Sequence, residues 1–110
     1  MYDIIIIGSG PAGLAAAIYG QRARLSTLMI EKQPMSGGQI VNTPDVDNYP
    51  GLPGVGGFEL GSKFRAHADA MGIEAVTAEV TSVELSGETK RVVTDEKTYE
   101  GKTVVIATGA

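Results

Sequence analysis

The sequence of 110 residues contains no cysteine and a single histidine. Without cysteine, this stretch holds no disulfide, no thiolate metal site and no dithiol redox pair. That suits a cytoplasmic protein. One histidine, His67, cannot build a metal site, and no Asp/Glu cluster at ligand spacing accompanies it. It falls on the apolar side of an expected helix, so a core position is favoured over a catalytic one. Basic residues are in the minority, with 9 Lys and Arg against 13 Asp and Glu for a net charge of -4. There is no basic run and no aromatic-basic interleaving, which disfavours nucleic acid and an anionic membrane as partners. The apolar start is not a signal peptide. Asp3 interrupts it, no basic segment precedes it, and the run is too short to span a bilayer. No serine or threonine sits in a nucleophile-elbow pattern, and no internal repeat is visible.

The length suits one domain with one core. The 15 glycines are scattered among apolar segments, as in a folded domain with tight turns. Tyr2 to Ile7 is a continuous β-branched run, the pattern of a strand buried on both faces in a parallel sheet. Pro11 to Arg24 reads as a helix with Leu14, Ala15, Ile18 and Tyr19 as its apolar face. Ser26 to Glu31 is a second strand, which completes a βαβ unit. Lys32 to Gly57 shows no period and carries all but one of the 5 prolines, so it reads as a long functional loop. Phe58 to Met71 is helical, with Leu60, Phe64, His67, Ala68 and Met71 on one face and Gly72 as its stop. Ile73 to Thr77 is a third parallel strand. Val80 to Leu85, Arg91 to Thr94 and Thr98 to Glu100 form a β-meander, and Thr103 to Ala107 is a final buried strand. Right-handed crossovers order the parallel strands as 73–77, 26–31, 2–7 and 103–107. The last of these then stands on an open edge, which proteins normally cover.

The turn after the first strand reads Gly8-Ser9-Gly10-Pro11-Ala12-Gly13, a G-x-G-x-x-G spacing placed between a strand and a helix. Gly8 permits the tight turn, Gly10 leaves room for a pyrophosphate, and Gly13 allows close helix–strand packing. The helix N-terminus offers free N–H groups and a partial positive charge to phosphate. Glu31 stands 18 residues after Gly13, at the end of the second strand. A carboxylate there accepts hydrogen bonds from ribose hydroxyls and repels a 2′-phosphate, which disfavours NADP at this position. Lys32 reads equally as an adenosine-edge contact or a surface lysine. Glycines and one acid do not separate NAD from FAD. Three further stretches bear on that choice: Ser36-Gly37-Gly38-Gln39, Asn48-Tyr49-Pro50-Gly51 and Val105-Ile106-Ala107-Thr108-Gly109.

Taken with Ile30-Glu31, Asp47-Asn48-Tyr49-Pro50-Gly51 and Ile106-Ala107-Thr108-Gly109-Ala110, these stretches make the whole chain resemble the N-terminal FAD-binding segment of the low-molecular-weight thioredoxin reductases. The glycine turn is common to many flavoproteins; the Gly-Gly-Gln and Asn-Tyr-Pro-Gly pair is far more specific. The resemblance implies an α/β, Rossmann-like FAD/NAD(P)-binding three-layer ββα fold, with a parallel sheet plus β-meander, here incomplete. Residues 1–110 would be the N-terminal segment of one FAD-binding domain. It further implies that Gly8, Ser9, Gly10, Pro11, Ala12 and Gly13 hold the FAD pyrophosphate and that Glu31 binds the adenosine ribose. Gly37 belongs to the cofactor-binding set, while Gly38, Gln39, Thr43 and Asn48 reach the ribityl chain or the flavin ring. Val80 meets the adenine through its backbone, and Ala107, Thr108 and Gly109 line the cofactor near the pyrophosphate. Pro44 departs from the family, which often has threonine there. Family subunits are about three times longer and carry the NADPH domain, with its Cys-x-x-Cys pair, after the Ala-Thr-Gly strand. The implied activity is electron transfer from NADPH through FAD to that dithiol and on to thioredoxin, in a homodimer. Two alternatives are a related ferredoxin or flavin NADP reductase without the dithiol, and a non-catalytic nucleotide-binding fragment.

Overall fold

The computed structural model describes residues 1–109, and the last residue of the final motif, Ala110, lies outside the described residues. Strand β1 (Tyr2–Ile7) leads through the glycine turn into helix α1 (Pro11–Arg22) and strand β2 (Thr27–Glu31). A 3-10 helix (Gly38–Asn42) precedes helix α2 (Gly57–Ala70) and strand β3 (Glu74–Thr77). Strands β4 (Val80–Glu84), β5 (Lys90–Thr94) and β6 (Thr98–Ile106) follow. The strands form one sheet in the order β3-β2-β1-β6-β5-β4. β3, β2, β1 and the second half of β6 are parallel, as the crossover rule requires.

Alternation along the buried strands divides the core between two faces. Ile6, Met29, Leu14, Ala17, Ala68 and Ile73 pack on the helical side. Ile5, Ile7, Leu28 and Ile30 pack on the other side against Val92, Tyr99 and Ala78, so the meander supplies the third layer. Ile5, Ile6, Leu28, Met29 and Ile30 are essentially inaccessible to solvent. Each contributes about 1.5–3 kcal/mol by leaving water.

Three sequence expectations need correction. The 98–100 and 103–107 runs are one strand, β6. Its first half pairs antiparallel with β5 and its second half parallel with β1, and Gly101 pairs on both sides. A side chain at Gly101 would lie 2.9 Å from Ile5 Cδ1, so glycine lets the strand pass from one layer to the other. The buried stripe of α1 is Gly13, Leu14, Ala17 and Gly20; Ala15 is exposed and Tyr19 is 69% exposed. Small residues win that face because the helix lies almost in backbone contact with the strands. A Cβ on Gly20 would fall 2.8 Å from Thr27 Oγ1. His67 is exposed, at the rim of an apolar groove between α1 and α2, and is not a core residue.

The long loop is more ordered than its lack of period suggests. It contains the 3-10 helix and a bridge between Val46 and Val55. The Tyr49 ring meets Phe64 of α2 edge-on at 5.3 Å, which anchors the loop. α2 ends at Ala70 with Met71 as its C-cap, and Gly72, with φ of 76°, turns the chain away. On β6, beyond Gly101, no strand among the described residues pairs on the side away from β1. Ile106 is 60% exposed there. No helix among the described residues is long and apolar enough to cross a membrane.

Candidate functional site

The parallel strands end together. Gly8 N–H donates to Ile30 O at 2.8 Å, and Ala107 N–H donates to Ile7 O at 2.9 Å. β1 stands between β2 and β6, whose connections leave it in opposite directions, and ligands of open α/β sheets bind at that point. A cleft of about 990 Å³ opens there.

The three glycines of the turn have different duties. Gly8 has φ +106°, and a Cβ there would lie 2.2 Å from Ala107 O. A Cβ on Gly13 would lie 2.0 Å from Gly8 O. Both are demanded by the fold itself. Gly10 has φ -72°, which any residue adopts, and a Cβ there would make ordinary contacts with the Gly37 and Gly38 backbone, the nearest being Gly38 Cα at 3.6 Å. Its lack of a side chain serves the cleft. Gly10 is also the N-cap of α1, no side chain caps that helix, and its first turn has no acid. The terminal N–H groups and the positive end of the dipole therefore face the cleft without a competing carboxylate.

Glu31 is tied into the turn. Its Oε1 accepts from Ser9 N–H at 2.9 Å and from Ser9 Oγ at 2.6 Å, and its Oε2 accepts from Gln33 N–H at 3.0 Å. Burial pushes the Glu31 carboxyl up, but the hydrogen bonds from Ser9, Gln33 and Lys32 outweigh it and hold the group below the usual range. Glu31 thus stays charged, with acceptor capacity left on Oε2. The Ser9 side chain, itself fully buried, is what sequence reasoning missed: its motif position was legible and its bond to Glu31 was not.

The cleft gathers Gly8, Ser9, Gly10, Pro11 and Ala12 from the turn, with Glu31 at the end of β2 and Lys32 just after it. Gly38 and Gln39 come from the second glycine pair, Val80 from β4, and Ala107, Thr108 and Gly109 from the strand end. Gly13 and Gly37 are buried behind it, and Thr43 and Asn48 do not line it. The wall also includes Met35, Ile40, Val41 and Ala78, for which the sequence carried no signal beyond their apolarity. Val80 is held in place from two sides. Ala78 N–H donates to Glu31 O at 2.9 Å, and Glu79 N–H donates to Asp95 Oδ1 at 3.1 Å.

A glycine turn, an uncapped helix start and a fixed carboxylate share one cleft, and a sequence profile for the pyridine nucleotide-disulphide oxidoreductases matches residues 2–110. The chain belongs to that family. It is 47% identical over its full length to a thioredoxin reductase of Bacillus subtilis (strain 168). The crystal structure of Lactococcus lactis thioredoxin reductase (FR conformation) superposes on all of the chain with a TM-score of 0.96 at 40% identity, using 36% of that structure. Streptococcus pyogenes thioredoxin reductase does so with a TM-score of 0.95 at 46% identity, again over 36% of its length. The chain spans about a third of the curated relatives it matches, 34% of the Bacillus protein. Among the described residues no cluster of His, Asp and Glu suits a metal ion.

Proposed function

We propose that this chain is the N-terminal part of the FAD-binding domain of an NADPH-dependent thioredoxin-disulfide reductase. The observation that carries the reading is the unstrained Gly10 at the open N-terminus of α1, beside the ionised Glu31. These residues fit FAD. Gly10 and Ala12 offer backbone N–H groups to the pyrophosphate, and Pro11, which has no N–H, starts the helix whose charge adds to them. Glu31 takes the adenosine ribose, Lys32 and the backbone at Val80 border the adenine, and Ala107, Thr108 and Gly109 close the pyrophosphate side. Gly38 and Gln39 face the flavin half, with Thr43 and Asn48 following in the same segment. FAD, when bound, supplies two-electron transfer between NADPH and a dithiol–disulfide pair. This chain's share is binding and orientation, because it has no cysteine to receive electrons.

The remaining assignments extend this proposal. NADPH and the dithiol belong to a second domain, thioredoxin is the electron acceptor, and the enzyme works as a cytoplasmic homodimer. The cleft's volume of about 990 Å³ lies at the upper end for small-molecule sites and suits a dinucleotide. The test is a FAD titration of the purified intact protein, followed by visible absorption and by an NADPH-dependent thioredoxin reduction assay. Bound flavin and turnover are expected. An apo-protein that takes up no flavin refutes the reading. The 110 residues alone are expected to read as background in the reductase assay.

A further inference from the structure

One basic residue outside the cleft reaches toward it. Arg65, on α2, donates from Nη1 to Ser36 Oγ at 3.0 Å and from Nε to Asp69 Oδ1 at 2.8 Å. Asp69 lies one helical turn further on and fixes the plane of the guanidinium, so that its other edge aims at Ser36. Ser36 is 8% exposed and directly precedes Gly37-Gly38-Gln39. That glycine pair is clamped between two backbones. On one side Gly37 N–H donates to Ser9 O at 2.9 Å, and a Cβ on Gly38 would lie 3.1 Å from Gly10 Cα. On the other side a Cβ on Gly61 of α2 would lie 3.1 Å from Gly37 Cα. The glycine surfaces at Gly38 and Gly61 do not restrain the segment along its own length, whereas the Gly37 N–H bond to Ser9 O ties it to the turn at one point. The Arg65–Ser36 bond is a second directional tie, on the opposite side, at the point where the chain enters the clamp.

We propose that Arg65, acting through Ser36, is a positioning residue that sets the register of Gly37-Gly38-Gln39 against the glycine turn, and so the placement of the flavin half of the cofactor. This rests on the FAD reading above. Arg65 touches no cofactor; its effect passes through Ser36 to Gln39.

The test is a double-mutant cycle in the intact protein with Arg65→Met, Ser36→Ala and the pair, measuring FAD affinity and the visible spectrum at saturating FAD. Arg65→Met keeps the aliphatic stem and removes only the donors. Each single variant is expected to raise the Kd for FAD about tenfold. The double variant is expected to match the singles instead of multiplying them, because one bond is removed in each case. All three are expected to show the same shifted visible spectrum when saturated, which a contact that only stabilised the fold would not produce. Wild-type protein that takes up no FAD overturns the FAD reading and this inference with it. Wild-type protein that binds FAD while the variants share its Kd, or its saturated spectrum, overturns this inference alone. So does a multiplicative loss in the double variant.

Discussion

Replacing Gly10 with alanine separates the needs of the fold from those of the ligand. The backbone at Gly10 is extended, with φ -72° and ψ -172°, so alanine enters without strain. Its Cβ would meet Gly38 Cα at 3.6 Å, an ordinary contact. The stability cost is that of exchanging a tolerated N-cap for a poor one, about 1 kcal/mol or less. At Gly13 the same methyl would stand 2.0 Å from Gly8 O, and at Gly8 it would stand 2.2 Å from Ala107 O at φ +106°. Those clashes fall on backbone and cost about 1–3 kcal/mol or more, with strain of similar size added at Gly8. Urea unfolding of the three apo-variants should therefore leave Gly10→Ala near wild type and the others well below it. FAD titration should reverse the ranking of interest. Gly10→Ala is expected to lose at least about tenfold in affinity, ~1.4 kcal/mol, although its fold is intact. Equal affinity in Gly10→Ala and wild type would refute the claim that the pyrophosphate passes Gly10. A urea midpoint as low as that of Gly13→Ala would refute the packing analysis.

Glu31→Ala is expected to weaken FAD binding by about 1–3 kcal/mol in a titration, the cost of removing a charged hydrogen-bond partner. The same variant checks a pH effect. Glu31 titrates lower in the folded protein than its ordinary value of 4.5, so its contribution to stability is complete above that value and is lost as pH falls through the folded value. The acid limb of the stability profile should flatten in Glu31→Ala, and an unchanged profile would contradict the Ser9–Glu31 bond. Gly57→Ala would put a Cβ 1.7 Å from Ile40 O; it should lower the urea midpoint by about 1–3 kcal/mol of stability, and a neutral result would show that α2 does not seat on the 3-10 helix as described. The 110-residue chain should self-associate along the outer edge of β6, and Ile106→Lys should reduce this; sedimentation showing a wild-type monomer would count against it.

β1, α1 and β2 were legible because each carries its own period and the glycine turn punctuates them. Strand order followed from handedness alone. The buried face of α1 was not legible, because hydrophobicity points to Ile18 and Tyr19 while closeness of approach selects Gly13, Ala17 and Gly20. The continuity of β6 was hidden by Gly101-Lys102, where the alternating pattern gives way to the buried one as the strand changes layer. The residues of the cleft were mostly legible from glycine spacing and from Glu31. The bonds of Ser9 to Glu31 and of Arg65 to Ser36 were not, since a hydrogen bond between residues 22 or 29 positions apart leaves no trace in local pattern.

β1 stands between partners of very different sequence distance. It pairs with β2 through Ile4 and Thr27, and with β6 through Tyr2 and Gly101. The first pairing closes a short loop. The second closes nearly the whole chain, and its entropic cost falls before any contact rewards it. During synthesis α1 and β2 emerge before β6 exists, so Ala107 to Gly109 join the cleft after the other segments named above that line it. The half-built cleft has Glu31 and the glycine turn but not these residues. On the FAD reading, capture of the cofactor waits for β6 to close onto β1.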